Sequence, residues 1–546
     1  MEAAPWAEAV AIARERILAV GDREAVVAAA GPGARIVDLA GRFVVPGFID
    51  NHTHFDRAGA LLLGVNLLAV SDAEGLAREV AAAAGRLPDG AWIVGGDWGA
   101  YEAWGRGSAG GERDAGSGGP FLPHRRMIEQ ASGGHPALLS RWDRSLWLAN
   151  RAALAAAGLG CAGEGVECEE GEPTGRLSSE AAERVRGVIP EKSLQQRLAE
   201  ARAALARLAE NGVTGIHDIT PPEQMQVFQE LRRRGELTVR VYARPTLDRW
   251  EELAAVGIGH GFGDEWLRIG GLKGFVDGIM GNSSARFYEP YLTTGERGSW
   301  RDMMRPEGNM LRLLVGADAA GHWPQVHAIG DEAIDTLLDL YERTIEANGP
   351  RERRLRVIHA QVLRGPEVAR RMAELGVIAE VQPYHAIDDM RWMEERIGER
   401  SRWAYAFRTL EQAGVSLSFG SDWPGTNASW YPARPVLGLY AAVTRQTLEG
   451  EPAGGWFPEE RVSVATALAA YTVNNAWAAG EEDEKGTLEP GKLADLVVLD
   501  RDPFAVDPAE LKNLEVLLTV VGGEARWSAL EDAPPATSVR WPGSPR

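Results

Sequence analysis

Two histidines one residue apart, His52 and His54 in Asn51-His52-Thr53-His54, follow the apolar run Val44-Val45-Pro46-Gly47-Phe48-Ile49-Asp50. In a strand, residues i and i+2 face the same side, so the two imidazoles project together. Side by side they make half a site for a borderline metal such as zinc. The pair is weak evidence alone, because a single histidine is more often a satisfied structural residue. Its weight comes from other metal-capable residues at the ends of later apolar runs. His327 ends Pro324–Ala328, His359 ends Leu355–His359, and Asp422 stands in Gly420-Ser421-Asp422-Trp423-Pro424. Lys273 lies within Leu267–Val276.

The elements that must position these residues alternate between strand and helix. Beyond Val44–Asp50, strand-like runs are Val213–Asp218, Thr238–Tyr242, Leu267–Val276, Pro324–Ala328, Leu355–His359, Val377–Val381 and Val415–Gly420. Helical stretches such as Leu198–Leu208, Ile334–Ala347 and Pro366–Leu375 lie between them. Eight strands alternating with helices predict an α/β fold, a (β/α)8 TIM barrel, whose C-terminal strand ends hold the chemistry. The first two strands are about 160 residues apart, far more than one βα unit needs. An inserted subdomain of about 85–200 follows, with a Gly/Ser-rich loop, Gly105–Gly119, and helical stretches around Leu146–Gly158.

The chain ends read as β structure. Ala9–Ile12 and Arg16–Gly21 form one expected strand pair, Ala34–Asp38 a third strand, and Ala494–Asp500 and Leu514–Val521 a matching piece. Residues 1–43 with 479–546 are expected to form a composite small β-sandwich domain around a barrel of 44–478. The tail from Asp532, rich in Pro and Ser, is expected to be loosely ordered.

Weaker candidates line the same rim. His385 follows Val377–Val381 and is expected to contact substrate; His217 with Asp218 ends the second run. Asp277 follows Lys273 and is placed to orient it or the next loop. Trp98 and Trp423 either wall an apolar pocket or pack in the core. His124, His135, His260 and His322 lack such placement and read as structural.

Composition excludes several partners. A formal net charge of -20 over 546 residues argues against nucleic acid or an anionic membrane. Apolar residues at 45% and charged residues at 25% describe a soluble globular chain, and no run is long enough to span a bilayer. With no signal-peptide pattern at Met1–Trp6, the cytoplasm is the expected compartment. The two cysteines, Cys161 and Cys168, are expected to be free thiols in a loop. Gly486–Lys492 has the spacing of a phosphate-binding loop, but Leu493 replaces the Ser/Thr and a strand follows, so nucleotide binding is rejected.

Val45–His54 resembles the first-strand signature of the amidohydrolase superfamily, and Gly486–Asp500 is similar to its closing segment. More narrowly, Lys273–Gly278 with Gly281 and Ala285, Val326–Asp331, Ile358–Gln361 and Gly420–Pro424 resemble the YtcJ-like branch, the amidohydrolase 3 family that includes N-substituted formamide deformylase. The resemblance implies two divalent metals, zinc by expectation. His52, His54 and Asp422 would hold one, His327 and His359 the other, with Lys273 bridging both as N6-carboxylysine. With Lys273 unmodified, a single ion on His52, His54, His327 and Asp422 is the fallback. It further implies hydrolysis of a C–N bond in an amide, formamide or cyclic amide, with Asp422 moving the proton. Alternatives are an esterase, lactonase or carbamate hydrolase, or a catalytically idle regulatory protein of the same fold. The insertion is expected either to roof the active site or to form a subunit contact, as in a homodimer.

Two departures stand out. Relatives usually open with a strand before the equivalent of Trp6–Val10, which leaves open whether the small β domain is complete. Arg141–Asn150 matches a stretch that often carries Asp-Gly-His; here Arg144 or Ser145 stands in place of that histidine.

Overall fold

The computed structural model describes residues 6–68, 70–88, 90–99, 121–142, 144–425 and 432–530. The loop Gly105–Gly119 and the tail from Asp532 lie outside the described residues. The chain divides into two compact units: one takes Met1–Phe55, Leu205–Trp423 and Tyr431–Arg546, the other Asp56–Ala204 and Pro424–Trp430.

The first unit is α/β, built on two arcs of parallel strands. One arc holds β1 (Phe48–Thr53), β2 (Val213–Ile219), β3 (Arg240–Arg244) and β4 (Leu267–Ile269), adjacent in that order. The other holds β5 (Leu272–Phe275), β6 (Pro324–Ala328), β7 (Arg356–His359), β8 (Ile378–Val381) and β9 (Leu417–Phe419), again in chain order. Isolated parallel bridges link them, Thr246 to Lys273 at one end and Thr53 to Trp423 at the other. The strands are short and, apart from the half-buried β4, almost wholly buried, and helices such as Asp331–Asn348 and Pro366–Glu374 return the chain between them.

Two expected strands prove to be pairs. Val44–Asp50 divides at Gly47: Phe43–Pro46 pairs antiparallel with Leu496–Leu499, and β1 begins at Phe48 in the parallel arc. A Cβ on Gly47 would lie 2.2 Å from Thr214 Oγ1, so only glycine fits where the chain changes sheets. Leu267–Val276 divides likewise at Gly270-Gly271, giving β4 to one arc and β5 to the other. Periodicity registers apolarity but not the neighbour a strand pairs with.

Both chain ends contribute strands to one antiparallel sheet, in which Phe43–Pro46, Leu496–Leu499, Val516–Val521 and Glu524–Ser528 lie adjacent in that order. The hairpin Ala9–Ala13 with Arg16–Gly21 forms as expected. Ala34–Asp38 is not a strand. The closing segment is anchored by a buried ion pair: Arg240 on β3 donates to both carboxylate oxygens of Asp495, at 2.6 and 2.9 Å.

The second unit carries a five-stranded mixed sheet of Ile93–Trp98, Ala137–Arg141, Trp147–Ala149, Glu172–Leu177 and Val166–Glu169. The stretch expected to be helical around Leu146–Gly158 is a strand followed by a short helix, Arg151–Ala156. Asn150 caps it by accepting from Ala153 N–H. The cysteines correct a second expectation. Cys161 and Cys168 form a disulfide, with Cα atoms 5.9 Å apart, because the turn before the Val166–Glu169 hairpin folds them together. Their spacing matches no C-x-x-C redox motif, and spacing alone does not show local turns.

Candidate metal centre

His52 and His54 leave β1 together, and the strands on either side are locked to that strand's end. Asp422 N–H donates to His52 O at 2.8 Å, and His54 N–H to Trp423 O at 2.7 Å. Gly420 makes this approach feasible, since a Cβ there would fall 2.1 Å from Asn51 Oδ1 and 2.8 Å from His52 N. Asp50 accepts from Ser421 N–H at 2.9 Å and from His52 N–H at 3.1 Å, fixing the turn on which Asp422 sits.

Asp422 Oδ1 lies 3.1 Å from His54 Nε2 and 3.5 Å from His52 Nε2. His52, His54 and Asp422 form one group able to hold an ion; His359, His385 and Asp422 form a second that shares the aspartate. Both His359 and Asp422 sit in the left-handed backbone region, at φ 75° and 58°, a strain that proteins keep where geometry matters to function.

Protonation suits ligation. Burial, then Lys273, pulls His52 down to about 3, and burial pulls His385 down to about 4. Burial also holds His359 well below its ordinary value, with His327 adding to it. Burial alone would raise Asp422, but His52 and the contact from His54 overturn it and hold the carboxyl well below the usual range. Neutral imidazoles beside an ionised carboxylate are the protonation states a divalent ion requires. Moreover, His52 Nε2 and Asp422 Oδ1 are buried without a hydrogen-bond partner among the described residues. Orphaned buried acceptors are costly, and an ion between them removes the cost. The donor set therefore fits a metal.

His327 lies outside both groups. Its Nε2–H donates to Gly278 O at 2.8 Å, which leaves Nδ1 as the nitrogen with a lone pair, and its ring stands 4.6 Å from that of His359. Lys273 is buried on β5, its Nζ 4.9 Å from the Phe275 ring centre. Burial, then Arg244, lowers it to about 7.

The remaining candidates scatter. Asp277 accepts from Ile329, Gly330 and Arg286 N–H, so it braces the loops after β5 and β6. His217 faces the strand interior, where its Nδ1 accepts from Arg356 at 2.9 Å. Asp218 accepts from Thr53 Oγ1 and Phe55 N–H, holding the end of β1. Trp98 packs in the second unit's core with Val65, Leu67 and Leu139. Trp423 is buried, its backbone bridging Thr53.

Sequence reasoning missed Glu380 and Gln382. Glu380 is wholly buried and accepts from His52 Nδ1 at 2.8 Å, from Arg244 at 2.8 Å and from Arg356 at 2.8 Å. Gln382 Oε1 accepts from His359 Nδ1 at 2.7 Å. The available signal was a carboxylate inside the apolar run Val377–Val381, which must be paired if buried.

The model of the amidohydrolase family matches residues 35–526 of this sequence. The chain belongs to the amidohydrolase family. It is 34% identical to the protein LONG AFTER FAR-RED 3 of Arabidopsis thaliana, over 95% of this chain and 88% of that one. It is 28% identical to the putative amidohydrolase YtcJ of Bacillus subtilis (90% of each chain) and 26% identical to the N-substituted formamide deformylase of Arthrobacter pascens (95% of each). An uncharacterized metal-dependent hydrolase from Pyrococcus furiosus superposes with a TM-score of 0.71 at 29% identity, covering 91% of this chain and 95% of that one. No helix among the described residues of this amidohydrolase is long and apolar enough to cross a membrane.

Proposed function

We propose that the protein is a metal-dependent hydrolase that cleaves a C–N bond in an amide, formamide or cyclic amide. The reading rests on one observation: neutral, buried histidines surround the ionised Asp422, with His52 Nε2 and Asp422 Oδ1 lacking a hydrogen-bond partner among the described residues. His52, His54 and Asp422 hold one ion in this reading. His359 and His327, through its Nδ1, would hold the second, and Lys273 as a carbamate would supply oxygen ligands. The neutral amine that carbamate formation needs is accessible because Lys273 is lowered to about 7. A different second-ion assignment, to His359, His385 and Asp422, is favoured by their closeness. With β4 and β5 counted as the one expected strand that divides at Gly270-Gly271, the two arcs are read as one (β/α)8 barrel, with 1–43 and 479–546 as the small β domain and about 85–200 as the insertion.

When bound, divalent zinc supplies Lewis acidity toward a carbonyl and lowers the pKa of water. Asp422, ionised and next to both histidines, accepts the proton of the attacking water and returns it to the leaving nitrogen. His54, whose side chain is 23% exposed against 1% for His52, marks the side from which substrate enters. The deformylase relative supports the C–N bond over an ester or lactone.

Metal analysis of the purified protein, paired with a screen of N-formyl amines, N-acyl amino acids and lactones, tests this. About two ions per chain and turnover of a C–N substrate are expected. Protein without stoichiometric metal would leave the idle, regulatory reading in its place. Loss of the second ion in His327→Ala but not His385→Ala supports the His327 assignment, and the reverse supports His385.

A further inference from the structure

Beneath the candidate ions lies a buried ionic layer that the proposed mechanism does not use. Glu380, on β8, is surrounded by Arg244 from β3, Arg356 from β7 and His52 from β1. Arg244 also donates to Asn51 O at 3.0 Å and to His217 O at 2.8 Å, and Arg356 to Ala478 O at 2.6 Å. Arg244 and Arg356 each donate to Glu380, to Oε1 and Oε2 respectively, at 2.8 Å, so both carboxylate oxygens act as acceptors. With both oxygens accepting from guanidinium groups, the bond at 2.8 Å puts the proton of His52 on Nδ1 and the lone pair on Nε2, 3.5 Å from Asp422.

Two residues further on, Gln382 repeats the arrangement. Its Oε1 accepts from His359 Nδ1 at 2.7 Å, which leaves Nε2 of His359 with the lone pair. Thus β8 and the residue that follows it touch two histidines that arrive from opposite sides, β1 and β7. The pairing is asymmetric. Glu380 is clamped by two guanidinium groups, whereas Gln382 Nε2 has no partner among the described residues.

We infer that Glu380 and Gln382 are positioning residues that set the tautomer and aim of His52 and His359, with Arg244 and Arg356 fixing Glu380 in turn. The inference rests on the reading of His52 as a metal ligand. Partners of this kind typically govern metal affinity by about 10–100-fold. The arginines also exclude a merely passive carboxylate, because Glu380 cannot swing away from His52 without uncovering buried positive charge.

The test measures zinc affinity of the metal-free full-length protein by competition with a chromogenic chelator. Glu380→Asp keeps the charge between the two arginines but withdraws the oxygen from His52. It is expected to weaken zinc binding about 10–100-fold while the melting temperature of the metal-free protein changes little. Gln382→Leu is expected to weaken it through His359 in the same way. The deciding arm is His52→Ala, in whose background Glu380→Asp should have no further effect. A Glu380→Asp effect of equal size in both backgrounds would overturn the inference, as would wild-type affinity in Glu380→Asp and Gln382→Leu alike. Unchanged affinity in His52→Ala itself would instead refute the ligand reading on which it rests. If Glu380→Asp does not fold, the charge-balanced Glu380→Gln/Arg356→Met carries the same comparison.

Discussion

Three side chains concentrate the chemistry, and each predicts a separate outcome. Asp422→Asn preserves size and the left-handed backbone but cannot accept a proton. Turnover is expected to fall by about 10²–10⁴-fold, as for loss of a general base, with the circular dichroism spectrum unchanged. Lys273→Ala removes the proposed bridging group, and on that proposal metal content is expected to drop from about two ions to about one. Added formate or acetate, which supplies a free carboxylate, should restore the second ion; no response to either acid would count against the carbamate. Asp389 offers a pH test. Burial raises its carboxyl to about 8, and it accepts from Tyr405 Oη and Gln361 Nε2. The folded state therefore holds a proton that the unfolded chain releases near its ordinary value. The resulting stability is fully present below about pH 4 and is lost as pH rises toward about 8, at about 1.4 kcal/mol per pH unit. Melting curves should show wild type losing ground to Asp389→Asn over that interval, and parallel curves would dismiss it.

Elements explain what the sequence made legible and what it hid. His52, His54, His359 and Asp422 could be found because each stands where an apolar run ends, and the structure brings the three histidines within reach of Asp422 in two groups that share it. His385, expected only as a substrate contact, joins them because the helix Pro383–Asp389 starts directly after β8. Glu380, Arg244 and Arg356 were invisible as a unit. They come from three strands far apart in sequence, and their pairing exists only once those strands are neighbours or face each other. The two split strands were hidden for a related reason: Gly47 and Gly270 interrupt no apolar pattern, yet each allows a close approach that redirects the chain. The link from β3 to the closing segment makes a stability prediction. Asp495→Ala leaves Arg240 buried and unpaired at a cost of about 3–5 kcal/mol. The melting temperature should fall while metal content of the folded protein stays the same, since Asp495 touches none of the proposed ligands.

At the scale of the whole molecule, one architecture separates fastening from chemistry. Strands from both chain ends share a sheet, and the parallel arcs between them carry the candidate ligands at their C-terminal ends. The second unit, with its own sheet, core and disulfide, is a separate body of residues from the one that holds His52 to Asp422. The ions would join strands that the chain connects only through long excursions, so removing them should loosen the first unit. Chelation is expected to lower the melting temperature and zinc to restore it, by about 2.7 kcal/mol when zinc is at 100 times its dissociation constant.

The left-handed backbone at His359 and Asp422 filters which amino acids those positions can accept, independently of any chemistry. Valine and isoleucine are disfavoured there by sterics before their inability to ligate matters, whereas glycine, asparagine and aspartate fit the backbone. A randomised library at position 422, selected only for soluble folded protein, should already be enriched in those three residues. Descendants of this protein that lose the carboxylate would then carry asparagine or glycine at 422 more readily than alanine, and that loss would leave the fold intact.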